Sequence, residues 1–237
     1  MKTEPAQISV ADQISKLREK PRLSAEEVKK WEFIQVISPR LAACGWEKRF
    51  HHRVAFGTTQ KLVHRDTVNL LKNKGAIIAL VGERGLGKTT IAAHIAIDRA
   101  EHFWDYYSTQ PEDRAGMAGP QGIPCYRKMA QLVSKFKPLY ADFGSIDSEK
   151  LMEVKDRLCN ETLLVIDELH ECEELRMKDR ILTDIVDIRY ARLRDTILIS
   201  NQTADDFKAS TNDSVISRLT EHGKIIGCKW KSYRGRE

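Results

Sequence analysis

The feature that most constrains this chain is an octet, Gly82-Glu83-Arg84-Gly85-Leu86-Gly87-Lys88-Thr89, set between two different hydrophobic periodicities. Before it, Ala76–Val81 is a continuous apolar run, as a strand buried on both faces of a parallel sheet requires. After it, Thr90–Arg99 reads as a helix. The octet satisfies GxxxxGK[ST], and its place between strand and helix gives the pattern its force. Its glycines let the backbone wrap closely around phosphate, and the helix N-terminus adds partial positive charge. Lys88 can reach β- and γ-phosphates, and the Thr89 hydroxyl can ligate Mg²⁺. Gly82 through Thr90 is therefore the candidate nucleotide-binding segment.

Other apolar runs predict strands at Ile123–Arg127, Thr162–Asp167, Thr196–Ser200 and Lys224–Cys228. Helical spacing recurs between them, at Val63, Thr67, Leu70 and Leu71, at Leu151, Val154 and Leu158, and at Ile181, Ile185, Ile188 and Leu193. Alternating strands and helices predict a three-layer α/β domain. Its 237 residues suffice for one such core with a modest extension. Pro111–Pro124, rich in Gly and Pro, reads as an exposed loop. The aromatic run Phe103–Tyr107 before it reads as helix packing, with base stacking as the alternative.

Two predicted strands end in groups that a phosphate site can use. Leu163-Leu164-Val165-Ile166 runs into Asp167-Glu168, and a buried strand does not tolerate unpartnered carboxylates. Both acids should face the crevice at the carboxyl ends of the strands, where ligands bind in such sheets. Asp167 would hold Mg²⁺, directly or through water, and Glu168 would polarise the water that attacks the γ-phosphate. Thr196–Ser200 ends at Asn201, whose uncharged amide could donate to the γ-phosphate or to that water.

The net charge of +5 is unevenly placed. Residues 1–74 carry fifteen lysines and arginines against eight acids, and residues 224–237 carry five against one. Basic ends flanking a near-neutral core fit a nucleic-acid partner. Lys128, Lys135 and Lys137 flank the second predicted strand and its helix, and are candidate DNA contacts only through the family resemblance given below. No apolar run approaches the roughly 18 residues of a membrane span, and the first residues lack a signal-peptide core, so a cytoplasmic protein without membrane contact is expected. Five scattered cysteines, never spaced CxxC, predict buried reduced thiols and no zinc site.

The first forty residues read as two short helices. Ile8, Ala11, Ile14 and Leu17 recur helically up to Pro21; Ser24-Ala25-Glu26-Glu27 has the capping-box form, with Val28, Trp31 and Ile34 on one face and Ser38-Pro39 as the stop. The face formed by Ile14, Leu17, Trp31 and Ile34 is a candidate partner surface.

Taken in order, the strand ends resemble those of the AAA+ ATPases, and within them the branch of DnaC-type helicase loaders and IstB-type transposition helpers. The resemblance spans residues 41–234. It rests on Val81–Thr89, Leu163–Glu168, Arg189-Tyr190-Ala191-Arg192 leading into Leu198–Asn201, Asp213–Leu219 and Trp230–Arg234. It implies a five-stranded parallel sheet in the order 5-1-4-3-2, with ATP at a subunit edge and self-association through ATP-bridged interfaces. Asn201 matches the family's sensor residue. Arg218, in Ser214–Leu219, matches the arginine finger that reaches a neighbouring subunit's γ-phosphate, a placement that can supply ~10³–10⁵ in rate. Nineteen residues follow Arg218, too few for a C-terminal helical lid, which the loader branch also lacks.

The resemblance implies residues 1–40 as a small helical partner-binding segment and residues 41–237 as the ATPase domain. The expected function is ATP-dependent loading of a replicative DNA helicase onto single-stranded DNA. An IstB-like helper acting on duplex DNA shares every catalytic motif and is the alternative. A phosphotransferase is disfavoured by the absence of an evident cationic lid after the loop, and a non-hydrolysing switch would bind ATP without turnover.

Overall fold

Five strands form one parallel sheet: β1 (Ile77–Val81), β2 (Cys125–Lys128), β3 (Leu163–Asp167), β4 (Asp195–Ser200) and β5 (Gly223–Gly227). Their order is β2-β3-β4-β1-β5, which is the expected 5-1-4-3-2 read from the other edge. The structure is a computed structural model and describes residues 24–108, 123–140, 148–172 and 174–231. Each expected strand falls within two residues of an observed one at either end.

The continuous apolar runs follow from burial on both faces. Ile78, Leu80, Val165, Ile197 and Ile199 join one core cluster, while Ile77, Ala79, Val81, Leu164, Ile166 and Leu198 join the other. Helices α3 (Thr58–Leu70) and α4 (Lys88–Ser108) cover the first face through Val63, Ile91, Ile95 and Ala96. The second face is covered by α5 (Met129–Phe136), α6 (Ser148–Asn160), α7 (Leu175–Ala191), α8 (Ala204–Ser210) and α9 (Asp213–His222). Each fully buried Leu or Ile contributes about 1.5–3 kcal/mol, so the two clusters together supply the main driving force. All five cysteines are buried free thiols.

The N-terminal helix departs from expectation. Helix α1 (Ala25–Glu32) has the anticipated capping box, with Glu27 N–H donating to Ser24 Oγ at 3.2 Å and Ser24 N–H to Glu27 Oε2 at 2.7 Å. Ser38-Pro39 does not stop it. A π-helical turn, Phe33–Ile37, carries the chain into α2 (Ser38–Ala43), and Ser38 N–H donates to Phe33 O, five residues back. The wider turn changes the hydrogen-bond register just where Pro39 lacks an N–H, so the helix passes through the proline. The turn also rotates the buried face. Val36, Ile37 and Leu41 enter the core, whereas Ile34 is exposed and Trp31 half-buried. Ile14 and Leu17 lie outside the described residues.

Two further expectations need correction. Most of Pro111–Pro124 lies outside the described residues, but Ile123 and Pro124 are buried, and Trp46 Nε1 donates to Pro124 O at 2.8 Å. Leu193 does not belong to the α7 stripe. It is exposed at φ 51°, in the left-handed position after the helix, where Arg194 N–H closes on Arg189 O at 2.9 Å.

Candidate active site

The loop between β1 and α4 takes its shape from glycine. Gly82, Gly85 and Gly87 have φ of 139°, 83° and 76°, values that side chains with a Cβ rarely adopt. At Gly82 a Cβ would also stand 2.5 Å from Cys228 O. Leu86 points into the core, and its carbonyl is held from two sides, by Trp230 Nε1 at 2.8 Å and Gln60 Nε2 at 3.4 Å. The loop is thus braced by α3 and by the segment after β5 before any ligand arrives. Glu83 and Arg84 are exposed, and the Arg84 guanidinium pairs with Glu171.

Beside this loop lies a cleft of about 470 Å³. Arg84, Gly85, Gly87, Lys88, Thr89 and Thr90 from the loop and α4 line it together with Asp167, Glu168 and Asn201. The ammonium of Lys88 is buried and donates to Gly82 O at 2.6 Å and Glu83 O at 2.7 Å, folded back along its own loop. Burial pulls its pKa below the ordinary lysine value, with Cys228 and Asp167 opposing. Phosphate oxygens would replace those carbonyls as stronger, charged acceptors.

Asp167, at the end of β3, is 5% exposed and accepts three hydrogen bonds. Thr89 Oγ1 donates to Oδ2 at 2.6 Å, Tyr126 OH to the same oxygen at 3.0 Å, and Glu168 N–H to Oδ1 at 2.7 Å. Burial raises its pKa above the usual aspartate value, and these three donors pull the other way. A hydroxyl and a carboxylate in contact beside a phosphate loop are hard oxygen donors. They suit Mg²⁺, which takes one or two protein oxygens and keeps several waters. Thr89 and Asp167 would hold the ion, whose charge would neutralise the phosphates. No cluster of three or more metal-ligating side chains is found among the described residues.

Glu168 follows at φ 57°, a left-handed conformation unusual for a non-glycine residue. It turns the chain out of β3 and admits the side chain to the cleft, where Lys128 Nζ pairs with Oε1 at 2.9 Å. Asn201, just past β4, donates through Nδ2 to Glu171 Oε1 at 3.2 Å. Arg218 is not among the residues lining this cleft. On α9, its Nε pairs with Asp187 at 2.9 Å, its Nη1 donates to Ser214 O at 2.9 Å, and its guanidinium lies over the Tyr190 ring.

The remaining wall was not foreseen. Arg49, Phe50, His52, Val54, Ala55 and Phe56, from the connection between α2 and α3, line the cleft together with Gln60 from the first turn of α3. Val54 N–H donates to His94 Nε2 at 3.0 Å, and the Phe56 ring lies 4.3 Å from that of His94. Burial holds the His94 pKa below its ordinary value, consistent with a neutral ring that can accept. The segment has no periodicity, and its only sequence signal is a cluster of aromatic and His residues between two helices. Of the candidate DNA contacts, Lys128 and Lys137 are spoken for by Glu168 and by Glu174, the latter at 2.8 Å, while Lys135 is exposed.

By sequence, no family model and no curated protein matches this chain. By structure, it is similar to the DnaC helicase loader, with a TM-score of 0.52 and 18% identity over 75% of this chain and 94% of that one. The replication initiator DnaA bound to AMPPCP and single-stranded DNA gives 0.52 and 15% over 75% of this chain and 49% of that one. Domain III of the Thermotoga maritima replication initiation protein DnaA gives 0.52 and 15%, over 74% and 65%. The chain therefore spans about half the length of that nucleotide-bound DnaA and nearly all of the DnaC chain. At these identities the likeness is one of fold, and the fold is that of the AAA+ P-loop ATPases, shared with the DnaC helicase loader.

Proposed function

We propose that this chain binds ATP with Mg²⁺, hydrolyses it at an interface between copies of itself, and uses the cycle to load a replicative DNA helicase onto single-stranded DNA. The observation that carries this reading is the meeting of Lys88, Thr89, Asp167, Glu168 and Asn201 on one cleft. Loop amides and Lys88 bind the triphosphate, and Thr89 and Asp167 hold the magnesium that shields its charge. Glu168 accepts the proton of the attacking water once released from Lys128, and Asn201 orients that water or the γ-phosphate. The wall from Phe50 to Phe56 packs against the base. Arg218 acts in trans, on the site of the next subunit. Residues 1–40 are the partner-binding segment, with the exposed Ile34 of the π-helical turn contributing, and 41–237 the ATPase domain.

The fold likeness to DnaC and to DnaA supports a replication role, and the loader reading takes its client from the first of these. No described helix is long and apolar enough to cross a membrane, which is compatible with work on DNA in the cytoplasm.

The test is ATPase activity with and without single-stranded DNA, followed by pull-down against the host replicative helicase. Lys88→Ala should abolish ATP binding, and Glu168→Gln should keep binding while stopping turnover. Normal hydrolysis by the Gln variant would remove Glu168 from the mechanism. Stimulation by duplex DNA alone, with no helicase captured, would transfer the chain to the transposition-helper class.

A further inference from the structure

Tyr126 occupies a position that packing alone does not explain. Its ring is buried in an aromatic cluster, 4.8 Å from the Trp46 ring and 6.5 Å from that of Phe50. Its backbone is tied to the same segment, with Tyr126 N–H donating to Cys44 O at 2.9 Å. A phenylalanine would keep the ring packed on Trp46 and Phe50. The hydroxyl is a different matter, since burying it costs free energy unless it is bonded. It reaches the adjacent strand, donating to Asp167 Oδ2 at 3.0 Å, the oxygen that also accepts from Thr89. The strand register makes this possible: Tyr126 stands opposite Val165 on β3, two residues before Asp167, and a phenol is long enough to span the offset.

We infer that the Tyr126 hydroxyl is a positioning group for the candidate magnesium carboxylate, holding Asp167 against Thr89 so that the two present their oxygens to the metal together. This deepens the ATPase reading and rests on it. Thr89 and Asp167 come from different elements, α4 and β3, and one hydrogen bond between them leaves the carboxylate free to rotate about it. Tyr126 supplies the second donor to that oxygen, and Glu168 N–H fixes the other, so the carboxylate plane is set before the metal binds. Partners of this kind, which orient a metal ligand without touching the metal, typically govern about ten- to hundredfold in metal affinity. The ring cluster makes the donor rigid, because Tyr126 cannot swing away without dislodging Trp46 and Phe50.

The test measures nucleotide binding and needs no turnover. Affinity for ADP is measured with and without Mg²⁺, for the full chain and for Tyr126→Phe, by titration with a fluorescent ADP analogue. Wild type should bind more tightly with Mg²⁺. Tyr126→Phe should keep its metal-free ADP affinity and lose roughly tenfold or more of the magnesium enhancement. Trp46→Phe, which disturbs the ring cluster but leaves the hydroxyl, should lower the melting temperature while changing the enhancement less. An unchanged magnesium enhancement in Tyr126→Phe ends this proposal and leaves the ATPase reading standing. A Phe variant that has also lost metal-free ADP binding would make the hydroxyl part of the fold alone and overturns it equally. A wild-type chain that binds no nucleotide overturns the ATPase reading, and this inference with it.

Discussion

Lys128 Nζ lies 2.9 Å from Glu168 Oε1, so the carboxylate proposed to activate water is held in an ion pair from the neighbouring strand. The two side chains meet because the register sets Lys128 opposite Asp167, one residue before Glu168. The bond to Glu168 is the largest cause raising the Lys128 pKa, so the lysine stays charged across the working range. While Lys128 occupies Oε1, that oxygen is not free to accept a proton from water. Lys128→Met keeps most of the stem and removes the charge. It should raise DNA-independent ATP turnover several-fold, and the double variant with Glu168→Gln should be as inactive as the Gln variant alone. Steady-state ATPase rates check this. A Met variant slower than wild type would mean that Lys128 assists Glu168 instead of restraining it.

Asp167, proposed to hold magnesium, is buried at a cost in stability, and that cost has a defined pH dependence. Burial raises its pKa in the folded chain above the unfolded value, against the pull of Thr89, Glu168 N–H and Tyr126. A carboxyl shifted upward binds its proton more tightly when folded. Its favourable contribution is complete below the unfolded pKa and is lost as pH rises through the folded one. At neutral pH the ionised side chain therefore costs stability. Asp167→Asn keeps the shape, and the Thr89 and Tyr126 hydroxyls can rotate to accept from its amide. The nucleotide-free Asn variant should melt above wild type at neutral pH, with the advantage shrinking as pH falls into the acid range. It should also lose magnesium-dependent nucleotide binding. Thermal melts at a series of pH values decide the first point, and a lower melting temperature at pH 7 would contradict it.

The strands, the loop at Gly82–Thr89 and the acids at the end of β3 were legible because each is announced by neighbours in sequence, whereas the sheet order came only from the family resemblance. A doubly buried strand must be continuously apolar, and the first polar residues after it fall at its carboxyl edge. Tyr126, Phe56, Gln60 and Trp230 could not be read that way. Their partners are far off along the chain, Asp167 for Tyr126 and Leu86 for both Gln60 and Trp230, and no local period marks them. Pro39 misled for a related reason. Proline reads as a helix stop unless the turn before it widens, and the π-turn at Phe33–Ile37 leaves no mark in the hydrophobic pattern. The residues that do enter the core from this stretch, Val36, Ile37 and Leu41, follow or lie within that turn, while Ile34 of the candidate partner face stays exposed.

Arg189 makes a stability prediction independent of the cleft. Its side chain is fully buried on α7. Nε donates to Thr196 Oγ1 at 3.0 Å, and Nη1 to Leu158 O, Cys159 O and Glu161 O at 3.0, 3.2 and 2.9 Å, while Nη2 donates to Asp195 O. One guanidinium thus ties the end of α6 to the start of β4. Burial pulls its pKa down to about 10, and it remains charged at neutrality. Lysine carries a charge of the same sign but not the planar fork, and would leave several carbonyls unpaired. Arg189→Lys should cost about 2–4 kcal/mol, measured by urea unfolding. A change below about 1 kcal/mol would show that water or Lys replaces the fork.

Arg218 is absent from the cleft that its own chain forms, and its guanidinium is held by Asp187 and Ser214 on the face made by α7 and α9. Two roles fit that position: a structural tie between helices, or a finger presented to the next subunit. The roles separate in mixtures of variants. Lys88→Ala removes the loop cation but leaves Arg218 intact, and Arg218→Ala does the reverse. If Arg218 acts in trans, each variant alone should be nearly inactive, and mixing them should restore turnover. In a head-to-tail assembly mixed equally at random, about one interface in four pairs an intact loop with an intact finger, so recovery should approach a quarter of wild-type activity. The mixing ratio gives a second check, since recovery should peak at equal amounts and fall off symmetrically. A structural tie predicts something else. Arg218→Ala would then lower the melting temperature, keep measurable turnover on its own, and gain nothing from the Lys88 variant at any ratio, although the two co-assemble.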